Sequence, residues 1–151
     1  PGLARDGARR CPAQGPADDE PEPGREQHRF HGMLVDGVDV EYALPDGRSV
    51  KGDKVWPVDF DDVDANDWLA VNQVTVAGGE ITRRPDVVVF VNGLPLVVVE
   101  LKNWADEKAT VKKAFNQLQT SKQVVPGLFT CNELLIASDG VETRHGTLTA
   151  P

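Results

Sequence analysis

Arg84-Pro85-Asp86-Val87-Val88-Val89-Phe90-Val91-Asn92-Gly93-Leu94-Pro95-Leu96-Val97-Val98-Val99-Glu100-Leu101-Lys102 is the stretch on which the fold turns. Two β-branched runs flank Asn92-Gly93, a dipeptide that readily adopts the positive φ of a tight turn, so the segment reads as a β-hairpin. The hairpin returns Asp86 to the neighbourhood of Glu100 and Lys102. Side chains alternate along a strand, so Glu100 and Lys102 share one face while Val99 and Leu101 take the other. Two carboxylates and an ammonium then meet at one end of a sheet apolar enough to be buried, where unpaired charge is costly. A divalent cation would relieve that cost. One geometric condition applies. A plain two-residue turn sets Asp86 opposite Val99, on the wrong face. The cluster therefore requires a longer turn, a bulge, or an Asp86 just outside the ladder. The plainer alternative is that Glu100 and Lys102 form a surface ion pair at a strand end, worth less than about 1 kcal/mol.

Working outward, the period changes after Lys102. Asp106 fits an N-cap, and Val111, Ala114, Phe115 and Leu118 fall at i, i+3, i+4 and i+7, predicting a helix over 107–123 that ends before Pro126. Leu134 to Ala137 then reads as a strand with Ser138-Asp139-Gly140 as its turn. Upstream, His31 to Tyr42 and Val55 to Phe60 show short apolar alternations on either side of Pro45-Asp46-Gly47, consistent with strands and a turn. Asp61 to Asp67 reads as a polar connection, Leu69 to Val76 as a strand, and Gly78-Gly79 as a turn. Strand, hairpin, helix, strand defines an α/β core. Residues 1–29, with Pro1, Pro12, Pro16, Pro21 and Pro23 among charged residues and glycines, read as a disordered tail. Residues 30–151 then form one domain, within the size that buries a core.

A formal charge of −8 is the wrong sign for holding DNA by the overall field. The charges are segregated, however. Asp59, Asp61, Asp62, Asp64 and Asp67 crowd one segment, whereas Arg83, Arg84, Lys102, Lys108, Lys112, Lys113 and Lys122 surround the candidate site, where they suit a phosphate backbone. Cys11 and Cys131 are far apart and lack Cys-x-x-Cys spacing. Neither a disulfide framework nor a zinc site is indicated, and a cytoplasmic location is expected. No apolar run approaches a membrane span, and no signal-peptide core is evident. The His28-x-x-His31 pair has no carboxylate or cysteine companion and reads as incidental.

Mg²⁺ takes oxygen ligands and keeps several waters, so one or two carboxylates hold it. Asp86 and Glu100 would supply them, with the backbone carbonyl of Leu101. A bound metal lowers the pKa of water and offsets charge on a phosphoryl oxygen, and Lys102 would orient the water or neutralise developing charge. That chemistry is phosphodiester hydrolysis. Gln117, on the helix after the hairpin, either faces the same site or is a solvated helix-flank residue. Trp104 and Phe115 read as core residues. Asn72 and Gln73 mark either buried hydrogen bonding or an exposed edge. There is no Gly-x-x-x-x-Gly-Lys-Ser/Thr phosphate loop, no Gly-x-Ser-x-Gly elbow and no His-Glu-x-x-His.

From Phe30 onward these words occur in an order that resembles one family. They are Asp59-Phe60, Asn66-Asp67, Val71-Asn72-Gln73-Val74, the run from Arg83 through the hairpin to Asn103, Ala114-Phe115-Asn116-Gln117-Leu118-Gln119, Leu128-Phe129, Ser138-Asp139-Gly140, and Gly146-Thr147-Leu148-Thr149-Ala150. The chain resembles the N-terminal nuclease region of the restriction (motor) subunit of type I restriction-modification enzymes. The resemblance implies a restriction-endonuclease-like PD-(D/E)xK fold, a mixed sheet with flanking helices. It implies Asp86, Glu100 and Lys102 as metal and catalytic positions, and Gln117 as the start of a glutamine-x-x-x-tyrosine motif. It further implies a longer subunit with ATP-binding motor domains, duplex DNA as substrate, and methyltransferase and specificity subunits as partners. Two departures accompany it. Ser121 stands at the tyrosine position, and residues 1–29 do not read as the amphipathic helix that precedes the family's first strand. A chain ending at Pro151 is expected to be a fragment of a larger gene or a decayed remnant. The sequence is compatible with an Mg²⁺-dependent endonuclease module, with a catalytically silent domain for DNA contact or subunit docking, and with an unstable gene fragment that has no independent activity.

Overall fold

A five-stranded mixed sheet in the order β3-β6-β7-β8-β9 places the hairpin near its centre. The structure is a computed structural model and describes residues 23–103 and 110–150. In chain order the helices and strands are α1 (Pro23–Asp36), β1 (Val38–Ala43), β2 (Ser49–Val55), β3 (Trp68–Asn72), β4 (Val76–Gly78), β5 (Ile81–Arg83), β6 (Val87–Val91), β7 (Leu94–Leu101), α2 (Val111–Val124), β8 (Leu134–Ser138) and β9 (Thr143–Gly146). Strands β6 and β7 form the expected hairpin, β7 and β8 pair in parallel, and the remaining pairs of the sheet are antiparallel. The parallel step needs a crossover between β7 and β8, and α2 lies on it. β1–β2 and β4–β5 are separate two-stranded hairpins.

The sheet is covered on both faces. Val88 and Val91, three apart on β6, point to opposite sides. Val88 joins Val98, Val111, Ala114, Leu118 and Phe129 in the cluster under α2. Val91 joins Phe30, Leu34, Val58, Leu94 and Cys131 in the cluster under α1. Val111, Ala114, Leu118 and Ser121 recur at helical spacing and form the buried stripe of α2. Phe115 is partly buried against that cluster, as the sequence suggested.

Several expectations change. A disordered tail through residue 29 does not hold at its C-terminal end, because residues 23–29 open α1, and His31 to Asp36 continue that helix rather than forming a strand. Gln27, Phe30 and Leu34, at i, i+3 and i+7, bury one face of it, and Gly37 with φ 74° follows its last residue. The leading helix thought missing is present. Residues 1–22, including the rest of the tail, lie outside the described residues. So do Trp104, Lys108 and Asp106. Thr110, not Asp106, is the N-cap of α2, its side chain accepting from the Lys113 N–H. Trp56 to Phe60 is not a strand, Leu69 to Val76 is split between β3 and β4, and β9 was not anticipated. Cys131 is fully buried, and Cys11 lies outside the described residues. Among the described residues no helix is long and apolar enough to cross a membrane.

Candidate functional site

Asn92 (φ 52°) and Gly93 (φ 81°) both take left-handed backbone conformations. They form the two-residue turn with Val91 opposite Leu94 and Phe90 opposite Pro95. Continued regularly, that register would put Asp86 opposite Val99. It does not continue. Val89 pairs with Val97, skipping Leu96, and from there the ladder runs Val88↔Val98 and Val87↔Val99. Leu96 is therefore a one-residue bulge. It moves the strands by the single step that sets Asp86, the residue before β6, level with Glu100.

Asp86 is held from two sides. Its carbonyl accepts from the Gln73 N–H at 2.8 Å, and its Oδ2 accepts from the Leu101 N–H at 2.7 Å. Gln73 adopts φ 50° and gives its own carbonyl to Arg84 Nε at 2.9 Å. Asn72 and Gln73 are exposed, which selects the edge reading for both. Glu100 pairs with Ala137 across the parallel step. It shares the α2 face with Val98, and it is only 2% exposed. Lys102 Nζ donates to Glu100 Oε1 at 2.9 Å and to Gln117 Oε1 at 2.8 Å, while its backbone N–H donates to the Ser138 carbonyl at 2.8 Å. Gln117 is on the exposed side of α2, yet its amide reaches the lysine. Ser121, one turn further on, is buried in the helix's inner stripe.

Burial pushes the Glu100 carboxyl above its usual range. The Lys102 hydrogen bond opposes this, and the charge of Asp86 adds to it. The ammonium bonds only Glu100 of the two carboxylates, so the charge of Asp86 adds surplus negative charge beside a buried carboxylate. That donor set fits a hard divalent cation. Among the described residues no group of three or more His, Cys, Asp or Glu side chains is placed to hold a metal ion. Asp139, which the sequence marked only as a turn residue, binds the N–H groups of Val141 and Glu142 through Oδ1 and that of Val111 through Oδ2. It ties the β8–β9 turn to the start of α2, and so to the helix carrying Gln117.

The fold and site together define an α/β protein whose mixed sheet presents a carboxylate pair and a lysine at the end of a central hairpin. Residues 15–151 match the family described as the type I restriction enzyme R protein N terminus, and the chain belongs to that family. It is 43% identical over 122 residues to the type I restriction enzyme HindI endonuclease subunit of Haemophilus influenzae, covering 80% of this chain and 11% of that protein. It is 42% identical over 81 residues to the SauCOLORF180P endonuclease subunit of Staphylococcus aureus, covering 53% of this chain and 8% of that one. The chain thus spans about a tenth of the length of these relatives.

Proposed function

We propose that this chain is the endonuclease module of a type I restriction-modification system, with a PD-(D/E)xK fold and Mg²⁺-dependent hydrolysis of phosphodiester bonds in duplex DNA. The observation that carries the reading is the convergence of Asp86, Glu100, Lys102 and Gln117, which a bulge in the central hairpin makes possible. Asp86 and Glu100, with the carbonyl of Leu101, would hold Mg²⁺. The ion would lower the pKa of a bound water and offset charge on a phosphoryl oxygen. Lys102 supplies an N–H and a positive charge where negative charge develops on the phosphate. Gln117 fixes the direction of that ammonium, and Glu100 holds it at the sheet end. The net charge of −8 opposes non-specific DNA binding, so duplex is delivered by other parts of the assembly. These are ATP-driven motor domains of a longer subunit, acting with methyltransferase and specificity subunits. By itself the chain cuts DNA poorly.

The test is a chimera in which this chain replaces the matching region of the Haemophilus influenzae subunit, assembled with that system's other subunits. The expected result is Mg²⁺- and ATP-dependent plasmid cleavage. Glu100→Gln and Lys102→Ala should reduce it on the order of a hundredfold or more, with ATP hydrolysis retained. A chimera that assembles and hydrolyses ATP but never cuts would establish the alternative, a catalytically silent domain for DNA contact or docking.

A further inference from the structure

The bulge at Leu96 is braced by a residue distant in sequence. Asn132 is fully buried. Its Nδ2 donates to the Leu96 carbonyl at 3.1 Å and to the Leu134 carbonyl at 3.0 Å. The Glu133 N–H donates to the same Leu96 oxygen at 2.9 Å. Two carbonyl acceptors dictate which way the amide points, since a flipped amide would set its oxygen against both. The orientation leaves Asn132 Oδ1 buried with no hydrogen-bond partner among the described residues. A core selected for stability alone would not keep such an atom. From the other side the buried Gln27 of α1 donates through Nε2 to the Asn132 carbonyl at 3.0 Å.

We propose that Asn132 is a positioning residue for the carboxylate pair: by binding the carbonyl of the bulge it holds the hairpin in the register that sets Asp86 beside Glu100. The inference rests on reading that pair as the reacting site. The strands specify this register weakly. Val87, Val88 and Val89 face Val99, Val98 and Val97, so a one-residue slip exchanges valine for valine in a sheet covered on both faces. The residues at the strand ends are not interchangeable. The same slip moves Glu100 away from Asp86 and brings Val99 in its place. A brace on the extra residue is what separates the two registers.

Asn132→Ala removes both donated bonds, and deletion of Leu96 removes the bulge itself. Register is read by NMR in the metal-free protein from the cross-strand contact between Val87 and Val99, and metal affinity by Mn²⁺ titration. The expected result for folded Asn132→Ala is a Val87–Val98 contact replacing Val87–Val99 in a substantial population, with Mn²⁺ affinity reduced at least tenfold. The Leu96 deletion places Val97 directly after Pro95 opposite Val89, so it should keep the Val87–Val99 contact without a bulge, and keep it also when combined with Asn132→Ala. If Asn132→Ala does not fold, Asn132→Ser, whose hydroxyl serves one of the two carbonyls, carries the same test with a smaller slipped fraction. Native register with wild-type Mn²⁺ affinity overturns the proposal, as does lost stability with the register unchanged. Failure of the site reading itself shows separately, as absence of Mn²⁺ binding in the wild type, and the register contact then still decides the role of Asn132.

Discussion

Lys102→Ala takes away the ammonium bonded to a carboxylate that is 2% exposed, while the lysine side chain itself is 21% exposed. Read from the sequence, Lys102 either orients water and neutralises developing charge or makes a surface ion pair worth less than about 1 kcal/mol. The buried pair changes that expectation. Without Lys102, Glu100 has two courses. It can stay ionised, at the about 3–5 kcal/mol typical of a buried pair broken on one side. Alternatively it can take a proton. At pH 7 that costs about 3.4 kcal/mol relative to an unfolded carboxyl titrating at 4.5. The cheaper course sets the loss, so destabilisation at pH 7 is about 3 kcal/mol. At pH 5 the proton costs only about 0.7 kcal/mol, and the loss shrinks to about that. The sign follows from the direction of the shift. Folding raises the Glu100 pKa, so its contribution is present below the unfolded value and is lost as pH rises through the folded one. Urea unfolding of wild type and variant, followed by circular dichroism in EDTA at both pH values, makes the comparison. A loss at pH 7 under about 0.5 kcal/mol, or equal losses at pH 5 and 7, would refute the buried-pair argument.

Gly78→Ala places a Cβ into the carbonyl oxygen of Val124, at the end of α2. It should cost about 1–3 kcal/mol or more in thermal or urea unfolding, because backbone rather than a side-chain tip must move. Asp139 has its pKa lowered from 3.8, chiefly by the N–H groups of Glu142 and Val141. Its contribution is therefore present above pH 3.8 and is lost as pH falls through the folded value. Asp139→Asn should lower Tm at pH 7, and the gap to wild type should close below pH 3.8.

The hairpin and α2 were legible because each rests on local pattern: β-branched runs around Asn92-Gly93, and a 3.6-residue apolar period from Val111. The carboxylates and lysine could be named from position, and the offset needed to face them could be stated. Its source could not. Leu96 is one apolar residue among many, and the bonds that hold its carbonyl come from Asn132 and Glu133, whose proximity only the fold creates. The first helix was hidden for a different reason. Among its described side chains the buried face is Gln27, Phe30 and Leu34, set among His and Arg after a proline-rich stretch, so composition outweighed periodicity. Gly37 directly after it was the available signal. Gln117 could not be settled by spacing because it is an exposed residue, and its bond to Lys102 depends on how α2 lies over β7.

The most direct test of the central claim, that the bulge-aligned carboxylates form a metal-dependent centre, is calorimetric Mn²⁺ titration of the folded chain beside Asp86→Asn and Glu100→Gln. The account predicts one site in the wild type and a loss of affinity of at least about tenfold in each variant, with far-ultraviolet dichroism unchanged. Equal binding by all three proteins, or none by a folded wild type, would contradict it.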